Sequence, residues 1–191
     1  MSDERTIRPA SGPLHGAIRV PGSKSISNRA LVIASLARGR STVRGLLRSD
    51  DTDAMLAALQ ALGINVARNG DDVEIEGVAG KPRALDSACS IDCGHGGTPA
   101  RFLLALACLV DAPVIIDGSQ RLRERPMADG IELLRTLGAD ITCLDEDGCL
   151  PVRVDSGSLR GGEVRVGSTA SSQFLSALML IAPFLDDGIE L

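Results

Sequence analysis

The sequence predicts a mixed α/β (α+β) fold built from repeated β-α-β-α-β-β units with buried parallel helices. Three observations carry this expectation. First, the stretches "SKSISNRALVIASLARGRSTVRGL", "GGTPARFLLALACLVDAPVIIDG" and "SSQFLSALMLIAPFLDDGIEL" share one pattern. Each has small or hydroxyl residues, a polar group within a turn, an apolar run, a Gly, Asp or Pro break, and a short strand. Second, an amphipathic helix follows in the first two copies, "DTDAMLAALQALGINV" and "RPMADGIELLRTLGADI". Third, each of those copies closes in a hairpin-like pair.

The elements can be justified in order. The first helix of each copy is apolar on nearly every face, so burial on all sides is expected. Ser27, Thr98 and Ser171 hold similar places and read as N-caps. Both amphipathic helices end in Leu-Gly, at Gly63 and Gly138, where glycine suits a left-handed C-cap. The hairpins "INVARNGDDVEIEG" and "ADITCLDEDGCLPVRVD" turn at Asn69-Gly70-Asp71 and at Asp145 to Gly148. The units run over about residues 20–80, 90–155 and 165–191, the third being incomplete. No G-x-G-x-x-G follows a strand. "GSKS" lacks the upstream glycine of a phosphate-binding P-loop.

Composition narrows the function. The chain of 191 residues is 44% hydrophobic, with three Phe and no Trp or Tyr, so Leu, Ala, Ile and Val must form the core. A net charge of −5 and the lack of aromatic stacking surface argue against nucleic acid or a membrane surface as partner. "MSDERTIRPASG" has no apolar stretch of signal-peptide type, and no apolar run is long enough to span a membrane. A cytoplasmic protein is expected. The five cysteines are irregularly spaced, and Cys89, Cys93 and His95 form C-x3-C-x-H without a second ligand pair. Reduced thiols are expected, with no metal.

The helix starts point to chemistry. Unpaired N–H groups and the helix dipole make helix N-termini anion sites. In the first copy Ser25 and Arg29 share a face, with Lys24 just before them. In the second, Gly96-Gly97-Thr98 leads to Arg101. In the third, Ser171, Ser172 and Gln173 supply two hydroxyls and an amide. Each alone reads as a cap or a turn; together, on helices too apolar to present charge to solvent, they point to a shared anion site. "DGSQRLRERPMADG" adds Arg121, Arg123 and Arg125 in a basic loop, with Pro126 suited to the first turn of the next helix. A phosphate or carboxylate ligand fits this set.

"PGSKSISNRALVIASLA", "GGTPARFLLALACL", "RLRERPMADGIELLRTLGA" and "GSTASSQFLSALMLIAP" resemble, in order and spacing, the N-terminal half of the 5-enolpyruvylshikimate-3-phosphate synthase family. The resemblance covers about residues 8–191. It implies most of the first of two lobes, with a first strand near Ile7 to Val20 at the crossover to a second lobe, absent here, that the activity needs. It implies a monomeric enzyme that transfers the enolpyruvyl group of phosphoenolpyruvate to the 5-hydroxyl of shikimate 3-phosphate, without metal or organic cofactor. By resemblance Lys24 touches both substrates and is the catalytic candidate. Ser25, Arg29, Ser171, Ser172 and Gln173 would hold shikimate 3-phosphate. Gly97, Arg125 and Gln173 would face phosphoenolpyruvate, in the place the family offers to glyphosate. His95 stands where the family usually has Asn. The family's acidic catalytic residues lie in the second lobe, so no carboxylate here takes that role. Two alternatives are the related UDP-N-acetylglucosamine enolpyruvyl transferase, which usually has Lys-Asn at Lys24-Ser25, and an anion-binding module without catalysis.

Overall fold

The computed structural model describes residues 5–84, 89–155, 159–167 and 171–191. Helix α1 (Lys24–Leu36) starts where the Ser23 hydroxyl accepts the Ile26 amide, satisfying one orphan donor of the first turn. Strand β1 (Arg38–Val43), helix α2 (Asp50–Ala61) and the strands β2 (Asn65–Asn69) and β3 (Asp72–Val78) follow. A capping box between Ser49 and Thr52 opens α2, and Asp50, Asp51 and Asp53 oppose its dipole. Gly63, at φ +72°, ends it as the Leu-Gly signal predicts. The β2–β3 hairpin turns at Gly70-Asp71, Gly70 taking φ +65°. With β1 antiparallel on the other edge of β3, the sheet order is β1-β3-β2.

The middle of the chain repeats this plan. It contains β4 (Cys89–Asp92), α3 (Gly97–Ala107), β5 (Val114–Asp117), α4 (Gln120–Arg123), α5 (Ala128–Thr136), β6 (Asp140–Cys143) and β7 (Val152–Asp155). The sheet order is β4-β5-β7-β6, so β5, β7 and β6 stand to one another as β1, β3 and β2 do. Strand β4 lies parallel to β5 across α3. That strand–helix–strand crossing recurs once more in β8 (Gly162–Glu163), α6 (Ser172–Ile181) and β9 (Ile189–Glu190), with β8 parallel to β9. The fold is therefore mixed α/β with a recurring unit.

Two expectations are corrected. The strand near Ile7 to Val20 does not form. A strand exists through backbone pairing, and no described strand lies beside this segment. Ile7, Leu14, Ile18 and Val20 are 71–90% exposed. Burial on all sides holds for α3 alone, where every residue but Arg101 is buried. Helix α3 is enclosed by α1, α2, α5 and α6, whereas α1 and α6 flank it and turn Ile26, Ile33 and Met179 outward. The core joins Leu31, Met55, Phe102, Leu103, Leu104 and Ile116, all fully buried. No described helix is long and apolar enough to cross a membrane.

Candidate functional site

The first turns of α1, α3 and α6 touch through two matching arginines. Arg29 donates to the Ser25 carbonyl one turn back (3.1 Å) and to Ser176 Oγ on α6 (2.9 Å), while stacking over Phe102 of α3 at 5.1 Å. Arg101 donates to the Gly97 carbonyl one turn back (3.2 Å) and to Gln173 Oε1 on α6 (3.3 Å), while stacking over Phe174 at 5.1 Å. Stacking on an aromatic face holds a guanidinium without neutralising it. Gly130 of α5 permits the second stack: a Cβ there would stand 2.2 Å from the Phe174 ring.

Arg125 closes the group. A Cβ at Gly97 would lie 2.7 Å from Arg125 Nη1 and 2.9 Å from Arg101 Nη1, so both guanidiniums rest against the first residue of α3. Burial first, and the charge of Arg125 second, weaken the hold of Arg101 on its proton relative to an ordinary guanidinium. Among the described residues, none of Arg29, Arg101 and Arg125 is in an ion pair. Three such cations beside helix N-termini suit an anion.

The segment expected to be a basic loop is folded further than its sequence indicates. Arg121 and Arg123 belong to the short helix α4, and Arg123 is bound twice by Asp117, at 2.8 and 2.6 Å. Burial alone would raise the Asp117 carboxyl, but Arg123 and the Gly118 amide outweigh it and hold it below the usual carboxylate range. Of the three arginines in the segment, Arg125 is the one placed at Gly97. Pro126 precedes the N-cap of α5, Met127, instead of lying in the first turn.

The other expected residues fall as follows. Ser171 is the N-cap of α6 and accepts the Gln173 amide (3.2 Å); Ser172 is the first helical residue. Gln173 bridges α6 to α3, its Nε2 donating to Thr98 Oγ1 at 3.0 Å. Lys24, the first residue of α1, makes a 3.0 Å ion pair with Asp51 of α2. Ser25 is exposed at the same helix start. The residues 168–170 of the fourth motif lie outside the described set.

Ser27 and Thr98 are not caps. Their helices start earlier, at Ser23 and Gly96, so both sit buried inside α1 and α3. The Ser27 hydroxyl accepts the Leu47 amide (3.2 Å) and Thr98 serves Gln173. His95 is exposed and shares a 2.7 Å hydrogen bond with the Ser119 hydroxyl. No group of three or more His, Cys, Asp or Glu side chains suited to a metal occurs among the described residues. Sequence reasoning missed Asp51, signalled only by the paired aspartates opening α2. It noted Arg101 without giving it a site role. Arg29, Arg101 and Gln173 are each 72 residues from the next, a truer register than the one through Ser27.

The profile of EPSP synthase (3-phosphoshikimate 1-carboxyvinyltransferase) matches residues 9–191. The chain belongs to the EPSP synthase family. Its relatives include the 3-phosphoshikimate 1-carboxyvinyltransferase of Shewanella piezotolerans, 41% identical over 180 residues, covering 93% of this chain and 42% of the relative. The enzyme of that name from Rhizobium leguminosarum is 42% identical over 178 residues, covering 93% and 41%. The EPSP synthase structure from Acinetobacter baumannii superposes with a TM-score of 0.80 at 30% identity, covering 89% of this chain and 38% of that one. The chain thus spans about two fifths of the length of the family members it matches.

Proposed function

We propose that this chain is the greater part of the first lobe of a monomeric, cytoplasmic enolpyruvyl transferase. Its units cover about residues 20–80, 90–155 and 165–191, and it holds shikimate 3-phosphate and phosphoenolpyruvate for a second lobe to complete. The observation that carries the reading is the set of guanidiniums Arg29, Arg101 and Arg125, which meet no carboxylate among the described residues and gather at the starts of α1, α3 and α6. Both substrates are polyanions. In the reaction the 5-hydroxyl gives up its proton and its oxygen adds to C2 of phosphoenolpyruvate as C3 gains a proton. Phosphate then leaves C2 as C3 gives a proton up. The tetrahedral intermediate keeps both phosphate and carboxylate, so fixed cations stabilise it without reorganising.

In this reading Lys24 contacts both substrates and is the catalytic residue of this part. Ser25, Arg29, Ser171, Ser172 and Gln173 hold shikimate 3-phosphate; Gly97, Arg125 and Gln173 face phosphoenolpyruvate. The Gly97 amide at the start of α3 adds dipole and donor to that subsite. Calorimetry of the 191-residue chain with shikimate 3-phosphate tests the assignment. Weak binding is expected, lost in Arg29→Ala. Equal heats from the parent chain and Arg29→Ala would overturn it.

A further inference from the structure

Resting on that reading, we infer that Arg101 is a positioning residue for the transfer reaction, which fixes the side-chain amide of Gln173 in one orientation toward the substrates. A glutamine amide is free to flip, and its two faces offer opposite chemistry: a carbonyl that accepts, an NH2 that donates. Here both ends are tied. Oε1 receives Arg101 Nη1 at 3.3 Å and Nε2 donates to Thr98 Oγ1 at 3.0 Å. Arg101 can only donate, so the carbonyl must face it and the NH2 must face Thr98. That leaves the second proton of Nε2 for an anion.

The support for Arg101 is built in depth. Its guanidinium is braced below by Phe174, at one end by the Gly97 carbonyl, and beneath Phe174 by Gly130, where no Cβ fits. Its buried Nε has no hydrogen-bond partner among the described residues. A buried donor left unsatisfied costs stability, which is hard to reconcile with a purely structural arginine. Arg29 occupies the same position in the preceding unit and shows the contrast. There the guanidinium reaches a hydroxyl, Ser176, which donates to the Ser172 carbonyl of its own helix, and no side-chain amide is involved. In the second unit the same device orients an amide.

The test is a double-mutant cycle in a synthase of the relatives' full length that carries these 191 residues. Arg101→Met and Gln173→Ala should each lower kcat/KM by roughly 10–100-fold, and the double variant should be about as active as Gln173→Ala alone, because one effect passes through the other. Arg101→Lys, which keeps a charged donor for Gln173 but not the flat guanidinium that stacks over Phe174, should recover part of the loss. In the 191-residue chain, the Gln173 side-chain NH2 resonances, assigned by their disappearance in Gln173→Ala, should shift and broaden in Arg101→Met at a temperature where the melt shows it folded. Multiplicative losses in the cycle, or unmoved Gln173 resonances in a folded Arg101→Met, would overturn the inference. If Arg101→Met fails to fold, Arg101→Ala, which removes the guanidinium without inserting another long side chain, takes its place in the cycle and in the resonance test. A parent synthase without turnover on shikimate 3-phosphate and phosphoenolpyruvate would instead overturn the functional reading, while the resonance test of Arg101 and Gln173 would stand.

Discussion

The Lys24 ammonium lies 3.0 Å from the Asp51 carboxylate, tying the first residue of α1 to the first turn of α2. The lysine side chain is 51% exposed and the aspartate 16%, so the pair is half in water and contributes little to stability. Its effect is geometric: Asp51 holds a flexible four-carbon chain in place at the helix start. Lys24→Ala should lower kcat/KM by about one to two decades, the worth of one charge-assisted hydrogen bond. Asp51→Asn should cost less, because the lysine survives untethered. Both should melt within a few degrees of the parent, and steady-state kinetics beside thermal melts will show it. Unchanged kcat/KM in Lys24→Ala would remove the lysine from the site.

Gly97→Ala tests the other subsite. The added methyl would stand within 3 Å of Arg125 Nη1 and Arg101 Nη1, both far ends of flexible side chains. The fold should therefore tolerate it while the two cations move. We expect KM for phosphoenolpyruvate to rise by about tenfold or more, with KM for shikimate 3-phosphate changing much less. Equal rises in both would place Gly97 outside the phosphoenolpyruvate subsite.

Much of this architecture was legible in the sequence, for identifiable reasons. Leu62-Gly63 and Leu137-Gly138 stop their helices because only glycine enters the left-handed region cheaply, and Gly70 turns its hairpin for the same reason. Local backbone chemistry decides such features. The helix starts were less legible. Ser27 and Thr98 have the right residue type for caps, but Ser23 and Gly96 begin the helices earlier, and burial gives the two hydroxyls other partners. The site was legible in its residue types but not in its pairings. That Arg123 is spent on Asp117 while Arg125 lies against Gly97 depends on where β5 ends, which no local pattern records.

The cysteines give a prediction independent of substrate. Burial pushes the Cys108 thiol up to about 12, and burial with the charges of Asp92 and Asp117 does the same to Cys93. Thiolates are the reactive species. A thiol-specific reagent at neutral pH should therefore label the half-buried Cys143 and Cys149 before Cys93 and Cys108, which should wait for unfolding. Mass spectrometry of the labelled peptides over time checks the order. Early labelling of Cys108 would show that α3 opens far more readily than its packing implies.

The Asp117–Arg123 pair should show itself in the acid limb of stability. The folded-state pKa of Asp117 is lowered, so the residue binds its proton less readily folded than unfolded. Its contribution is therefore present above the unfolded carboxylate range and is lost as pH falls through the lowered folded value. The side chains are 29% and 36% exposed, so solvent screens the pair and its contribution is small. Asp117→Asn retains an acceptor for the Gly118 amide but gives up the charge. Its thermal midpoint should lie below the parent at neutral pH by no more than about 4 °C, as befits a screened pair in a chain of this size. The gap should narrow as pH drops below the ordinary aspartate value of 3.8 and close once the carboxylate of the parent is protonated. Melts from pH 7 down to pH 2 read both limbs. A gap that persists unchanged at the lowest pH would mean that Asp117 supports α4 through packing and not through its charge.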